Sequence, residues 1–259
     1  MTTTYGRKMQ MGRTTVDALT FAESLDMLEQ LIEQPGVSQH AVVNAAKVVA
    51  AQDDDDLVAA LNACDLVNAD GMSVVWASRL VGDPVPERVT GIDLMMALLE
   101  RAAERGWPVY LLGARQEVVE EVERRLHSRW PGLVVAGARN GYWSLDEESD
   151  VVTGVRNSGA RILFVAMGSP KKELWVATHR PDLGVNLVMG VGGSFDVVAG
   201  RTKRAPGWMQ AWGLEWFYRF VQEPRRMWRR YLVGNAKFIA IALQQRRDSS
   251  SAVRSGSQG

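Results

Sequence analysis

The chain has 259 residues, with 30 acidic and 30 basic side chains and a formal net charge of zero. That length suits one large α/β domain, or one domain with an appendage, and the charge balance gives no whole-chain signal for nucleic acid. The single cysteine, Cys64, excludes an internal disulfide framework and a cysteine-based zinc cluster, and a cytosolic location fits it.

The start, Met1 to Met11, is polar and lacks the apolar core of a signal peptide. No apolar run is long enough to span a bilayer. Phe21, Leu25, Leu28, Leu31 and Ile32 recur at helical spacing over Phe21 to Gln34, and Pro35-Gly36 ends that helix. His40 to Asn44 reads as a short strand with Asn44 at its carboxyl end, and the chain turns helical from Lys47. Asp53 to Asp56 contains Asp-x-Asp, a metal-binding pattern in many glycosyltransferases. It stands just before Leu57, Val58 and Leu61, where acids in a first helical turn are favoured by the dipole, so a solvated helix start is expected.

Leu66 to Ala69 reads as a short buried strand, closed by Asp70-Gly71, with a helix from Met72 to Leu80. Open α/β sheets bind ligands outside the carboxyl ends of their strands, and an acid there can take a proton from a substrate. Arg88 adds a permanent cation whose planar fork suits a diphosphate. Thr90-Gly91-Ile92-Asp93 has the form of a capping box, so Thr90 starts the next helix and presents free N–H groups to an anion. The plainer alternative is equally open: Asp70 caps the following helix, and Arg88 pairs with Glu87 or Asp83.

A helix over Ile92 to Arg105 is followed by a strand over Trp107 to Leu112, then Gly113-Ala114 and a helix over Gln116 to Arg129. Gly113 suits close backbone approach to a nucleotide, and equally any tight turn. Leu133 to Ala136 is the next strand, leading to Asn140-Gly141-Tyr142-Trp143, where Tyr142 either stacks on a base or packs half-buried. A helix over Glu147 to Asn157 precedes the apolar strand Arg161 to Ala166. Ser169 reads as an N-cap and Pro170 as the first residue of the next helix. Lys171 and Lys172 then lie in a first turn, where the dipole disfavours cations, a conflict that points to a bound anion. Val185 to Met189 is the last strand. It ends in Gly190-Val191-Gly192-Gly193, which departs from the dinucleotide fingerprint in spacing and in lacking the ribose-binding acid.

Strands and helices alternate, so a three-layer, Rossmann-like α/β domain with a mainly parallel sheet is expected over 1–205. From Trp208 to Arg247 the chain is basic and aromatic, and its acids are Glu215 and Glu223 alone. Residues 206–247 therefore read as a basic, aromatic helical appendage suited to a membrane surface, and 248–259 as a disordered tail. Basic residues near an anionic surface contribute ~1 kcal/mol each, and Trp insertion adds to that. The alternative is that these aromatics form the core of a helical subdomain. His40, His127 and His179 stand at no ligand spacing, so no metal site is expected.

Asn44, Asn68-Ala69-Asp70-Gly71, Glu87-Arg88-Val89-Thr90-Gly91, Asn140-Gly141-Tyr142, Gly168-Ser169-Pro170-Lys171-Lys172-Glu173, Gly192-Gly193-Ser194-Phe195-Asp196, Lys203-Arg204-Ala205-Pro206 and Glu215-Trp216 through Glu223-Pro224-Arg225-Arg226 form an ordered set. With it the chain resembles the WecG/TagA/CpsF glycosyltransferases from Thr15 to Asn235. The resemblance implies an inverting transfer, without metal or other cofactor, from a UDP-sugar to a polyprenyl-diphosphate-linked sugar. It implies a peripheral location on the inner face of the cytoplasmic membrane, and a homo-oligomer on family grounds alone. Carried onto this chain, Asp70 is the catalytic base. Asn44 lines the sugar pocket, and Arg88, with Thr90 and Lys172, faces the donor or its leaving diphosphate. Tyr142 stacks on uracil beside Gly113 and Gly141, and Asp196 binds the nucleoside. Arg219, Arg226 and Arg229 meet the acceptor diphosphate. Two departures bear on the donor: Val42 stands where TagA-like chains have Thr, and Lys172 where many members have Gln. Two other classes compete. One is a nicotinamide-dependent sugar-nucleotide oxidoreductase, against which the missing fingerprint counts. The other is a non-catalytic membrane adaptor.

Overall fold

The computed structural model describes residues 6–222 and 234–256. Its centre is a six-stranded parallel sheet in the order β4-β3-β8-β7-β5-β6. The strands are β3 (Ser38–Val43), β4 (Leu66–Ala69), β5 (Val109–Gly113), β6 (Val135–Arg139), β7 (Ile162–Ala166) and β8 (Leu187–Gly190). Both faces are covered, as an all-parallel sheet requires. On one face α1 (Phe21–Glu33), α5 (Gly91–Arg105), α6 (Gln116–Arg129) and α9 (Ser194–Val198) bury Leu28, Leu98, Val122 and Phe195 against Leu111, Phe164 and Met189. On the other, α2 (Ala45–Ala50), α3 (Asp55–Asn62) and α4 (Met72–Val81) cover β3 and β4. There α7 (Glu148–Asn157) and α8 (Lys171–His179) cover β5, β7 and β8. The three-layer α/β architecture read from the sequence is therefore the one observed.

The sequence reading passed over a hairpin, β1 (Lys8–Met11) and β2 (Thr14–Asp17), turning at Gly12 with φ 57°. Met9 and Met11 alternate inward on β1, and Val16 of β2 is buried with them. The hairpin guards the exposed edge of β4, where the Asp17 carboxylate accepts the Val67 N–H at 2.8 Å. Three local expectations shift. Leu133 closes α6 in a turn instead of opening a strand, with its N–H on the Trp130 carbonyl, so β6 starts at Val135. Pro170, not Ser169, holds the cap position of α8, and the Gly168 carbonyl takes the Lys172 N–H. Beyond Ala205, α10 (Gly207–Ala211) and α11 (Glu215–Gln222) precede a C-terminal helix, Gly234–Gly256. That helix runs through the expected tail boundary at 247/248, because no Gly or Pro interrupts it before Gly256. Phe238 and Ala242 join the core of the hairpin, α2 and α4, so this helix packs on the α/β domain.

Two buried polar groups fix the half of the sheet that carries the site. His40 on β3 and Asn68 on β4 share a bond of 3.0 Å, and the Asn68 amide continues to Ser24 of α1 at 2.9 Å. Burial pushes the His40 imidazole down to about 4, so it is neutral in the fold. At the tips of β3 and β8, Glu173 of α8 receives the ammonium of Lys47 on α2 at 2.7 Å and that of Lys172. Lys47 also donates to the Val42 carbonyl at 2.6 Å. Burial works to raise the Glu173 carboxyl, but Lys47 and Lys172 outweigh it and hold it at about 2. Burial, with Lys47 beside it, lowers Lys172 to about 8.

Each group predicts a stability change. Below pH 6.5 the unfolded chain binds a proton at His40 that the fold refuses, so stability falls as pH drops towards 4, by about 3 kcal/mol. Denaturant midpoints across that range should lose this limb in His40→Gln. Glu173→Gln leaves two buried ammoniums face to face and should cost about 3–5 kcal/mol at neutral pH. The loss should shrink as pH rises from neutrality towards 8, because without Glu173 the fold sheds a lysine proton at a pH where the unaltered fold still keeps it.

Candidate active site

The backbone brings four of the sequence-predicted residues, Asn44, Asp70, Arg88 and Thr90, to one place. β3 and β4 pair in register, Val43 opposite Ala69. The Asp70 N–H then extends the ladder onto the Val43 carbonyl at 2.8 Å, and the Val89 N–H returns to the Ala69 carbonyl at 2.9 Å. Asn44, Asp70, Arg88 and Thr90 therefore stand side by side at two strand tips. Asn44 is the N-cap of α2, its side-chain oxygen accepting the Lys47 N–H at 3.1 Å. Thr90 caps α5 through the Asp93 N–H, as its sequence suggests, although Asp93 answers on the Thr90 hydroxyl and not on the backbone. Gly71, not Asp70, occupies the N-cap of α4. The simpler partners for Arg88 are engaged elsewhere: Glu87 accepts the Phe21 N–H, and Asp83 pairs with Arg7.

Two guanidinium groups are fixed here. Arg88 reaches Glu215 of α11 at 2.7 Å, tying the appendage to the strand tips. Arg204 forks onto both oxygens of Asp93, each bond 2.6 Å. That bond first, then the charges of Asp93, Glu215 and Asp70, raises Arg204 further. Burial opposes ionisation of Asp93, but Arg204 and Thr90 prevail and hold it below the usual carboxylate range. Arg204 Nε is buried without a partner among the described residues. A cavity of about 450 Å³ opens beside these groups, lined by Asn44, Asp70, Arg88 and Glu215, and by apolar side chains of α4 and the C-terminal helix.

Gly113, Gly141 and Tyr142 lie at a second location. The crossover after β5 runs to β6 and the one after β7 runs to β8, so strand order reverses between β5 and β7. Such reversals create the ligand crevice of open α/β sheets. Gly113 has φ 127°, and a Cβ there would stand 2.4 Å from the Ala166 carbonyl oxygen. A Cβ on Gly141 would stand 3.0 Å from the Gly113 Cα. Both glycines are thus required by backbone packing against backbone, which shapes the crevice floor. Tyr142 is 72 % exposed at its rim, its N–H held by the Asn140 side chain. Asp196 lies in the first turn of α9, its carbonyl accepting from Arg201 and Thr202.

Lys172 is placed differently from its expected role. It is buried, bound to Glu173, and fills the space above Gly190, where a Cβ would meet its Cε at 2.8 Å. The glycine of the fingerprint-like run therefore makes room for a lysine. Arg219 lies in α11, while Arg226 and Arg229 fall outside the described residues. The sequence gives Asp93 only its place in the capping box and assigns Arg204 and Glu215 no role, because their partners lie 111 and 127 residues away. Among the described residues no group of three or more His, Cys, Asp or Glu side chains converges to hold a metal.

The family model "Glycosyl transferase WecG/TagA/CpsF family" matches residues 9–252. That span takes in the sheet, both strand-tip locations, α10, α11 and the C-terminal helix as far as 252. The chain belongs to the WecG/TagA/CpsF glycosyltransferase family, and it is a glycosyltransferase.

Proposed function

We propose that the protein transfers a hexose-type sugar from a UDP-sugar to a polyprenyl-diphosphate-linked sugar, with inversion and without a metal, in the synthesis of a cell-wall, teichoic acid or exopolysaccharide polymer. N-acetylmannosamine, its uronic acid or a related sugar is the donor group. The observation that carries this reading is Asp70 at a strand tip, in a cavity it shares with Arg88 and beside Arg204. In an inverting transfer the acceptor hydroxyl attacks the anomeric carbon from the face opposite the leaving UDP. One carboxylate suffices to take the hydroxyl proton as the new bond forms. The departing diphosphate gains charge, which preorganised cations stabilise.

Arg88 gives Glu215 one of its five N–H donors, which leaves others for a diphosphate. The N-terminus of α5 adds N–H groups, with the Asp93 N–H already capped. The cavity lies between β4 and β3, and the crevice between β7 and β5. Three strand spacings separate them, ~14 Å, a span suited to an extended sugar nucleotide. Uracil then rests by Tyr142 and Asp196, and the sugar by Asn44 and Asp70. Trp208, Trp212, Phe217 and Val221 expose apolar surface on the appendage, which supports binding at the inner membrane face with Arg219, Arg226 and Arg229 near the acceptor. No helix among the described residues is long and apolar enough to cross a membrane.

Asp70→Asn should lower the transfer rate by about 10² to 10⁴ while UDP-sugar binding persists, as read by UDP release and by calorimetry. Full turnover in that variant would remove Asp70 as the base. Wild-type turnover should survive an excess of chelator; loss restored by manganese would contradict stabilisation by fixed cations.

A further inference from the structure

Glu173 is one carboxylate serving two buried ammoniums. Lys47 of α2 and Lys172 of α8 both reach its Oε1, while its Oε2 is buried without a partner among the described residues. Lys47, Lys172 and Glu173 are 8 %, 5 % and 2 % exposed, and together they leave one positive charge unmatched. Their surroundings do not cancel it. His40 of β3 is neutral in the fold, and so is the Cys64 thiol beyond α3, pushed up to about 12 by burial. Asp65 beside that thiol is taken by Arg180 at 2.6 Å. β8 brings only the backbone of Gly190, over which the Lys172 chain lies. A surplus charge away from water is costly unless something opposes it. Burial, then the charge of Lys47, accordingly lowers Lys172 to about 8, and at neutral pH it still keeps its proton.

Strand order fixes where this charge stands. The cavity lies between β4 and β3 and the crevice between β7 and β5, so β8, the strand under Lys172, is midway. Gly91, the first residue of α5, meets the same tip from the opposite face: a Cβ there would stand 3.6 Å from Val42 and 4.0 Å from the Gly190 carbonyl oxygen. An extended sugar nucleotide with uracil in the crevice and its sugar in the cavity carries its diphosphate across that tip.

We propose that the diphosphate of the bound sugar nucleotide is the missing counter-charge, and that Lys172 is a positioning residue that draws it to the tip of β8 without touching it. The inference rests on the UDP-sugar reading above. It makes binding depend on pH. The diphosphate favours the charged lysine, so binding pulls a proton onto Lys172 and weakens as pH rises through about 8.

The test measures UDP and uridine binding by calorimetry on the full chain and on Lys172→Gln and Lys172→Met. At pH 7 both variants should bind UDP on the order of tenfold more weakly, the effect of one unit charge across ~10 Å of protein. They should bind uridine, which has no phosphate, as well as the unaltered chain does. Between pH 7 and 9 the advantage of the unaltered chain should shrink about fivefold. At pH 8 it should take up about 0.4 proton more per UDP than either variant, read from heats in buffers of different ionisation enthalpy. Thermal melts of the variants should not fall, because Lys47 and Glu173 remain as a matched pair. Equal UDP affinity in the variants would overturn the proposal. So would a loss shared with uridine, or one without the pH slope, either of which assigns Lys172 to packing alone. If the unaltered chain binds no UDP, the nucleotide reading fails, and inorganic pyrophosphate takes its place as the probe. Tighter pyrophosphate binding by the unaltered chain than by the variants would then support the counter-charge; equal or absent binding would refute it.

Discussion

The parallel pairing of β3 with β4 is the constraint on which the site depends. Two short strands, in register at Val43 and Ala69, bring Asn44 and Asp70 to adjacent tips. The ladder then continues through the Asp70 and Val89 amides, which sets Arg88 and Thr90 beside the acid. None of these side chains lies on a long loop. Each is anchored by a backbone hydrogen bond at its own residue or the next, as positioning for group transfer requires. The His40–Asn68–Ser24 chain and the Lys47–Glu173–Lys172 cluster lock the same half of the sheet from within. Buried charge of this kind is costly, and it specifies one packing of α2 and α8 over the strand tips.

Electrostatics at the site run through two clamps. Arg204 is held by Asp93, itself the residue that receives the Thr90 cap. Arg88 is held by Glu215, so the first cation next to Asp70 is also the link to the appendage. Loss of Glu215 would therefore loosen the appendage and free a guanidinium in one step. The appendage is not a separate body hung on a linker. Its Gly213 packs on α4, and the C-terminal helix enters the core through Phe238 and Ala242.

Much of this was legible from local pattern. Leu66–Ala69, Gln116–Arg129 and the start of α1 at Phe21 fall where periodicity and breakers place them. Asp54 caps α3, as acids before an apolar run suggest. The strand-tip positions of Asn44 and Asp70 followed from the alternation of elements, and the helix start at Thr90 from its capping pattern. What stayed hidden depends on contacts between distant residues. Arg204 and Asp93 are 111 residues apart, and neither helical nor strand period relates them. Lys172 stands in a first turn, where a bound anion was expected. Its counter-charge is the next residue, Glu173, folded inward where sequence spacing gives no sign of burial. The hairpin at the start escaped notice because its strands are four residues each and its turn carries Gly-Arg, without the usual Asn-Gly or Asp-Gly signal.

The base role proposed for Asp70 predicts one displacement and no covalent sugar–enzyme intermediate. The most direct measurement is the anomeric configuration of the new linkage, read from the one-bond carbon–hydrogen coupling at C1 of the product made from an α-linked UDP-sugar. A β linkage is expected, from one attack assisted by Asp70. An α linkage would contradict the assignment of Asp70 as base.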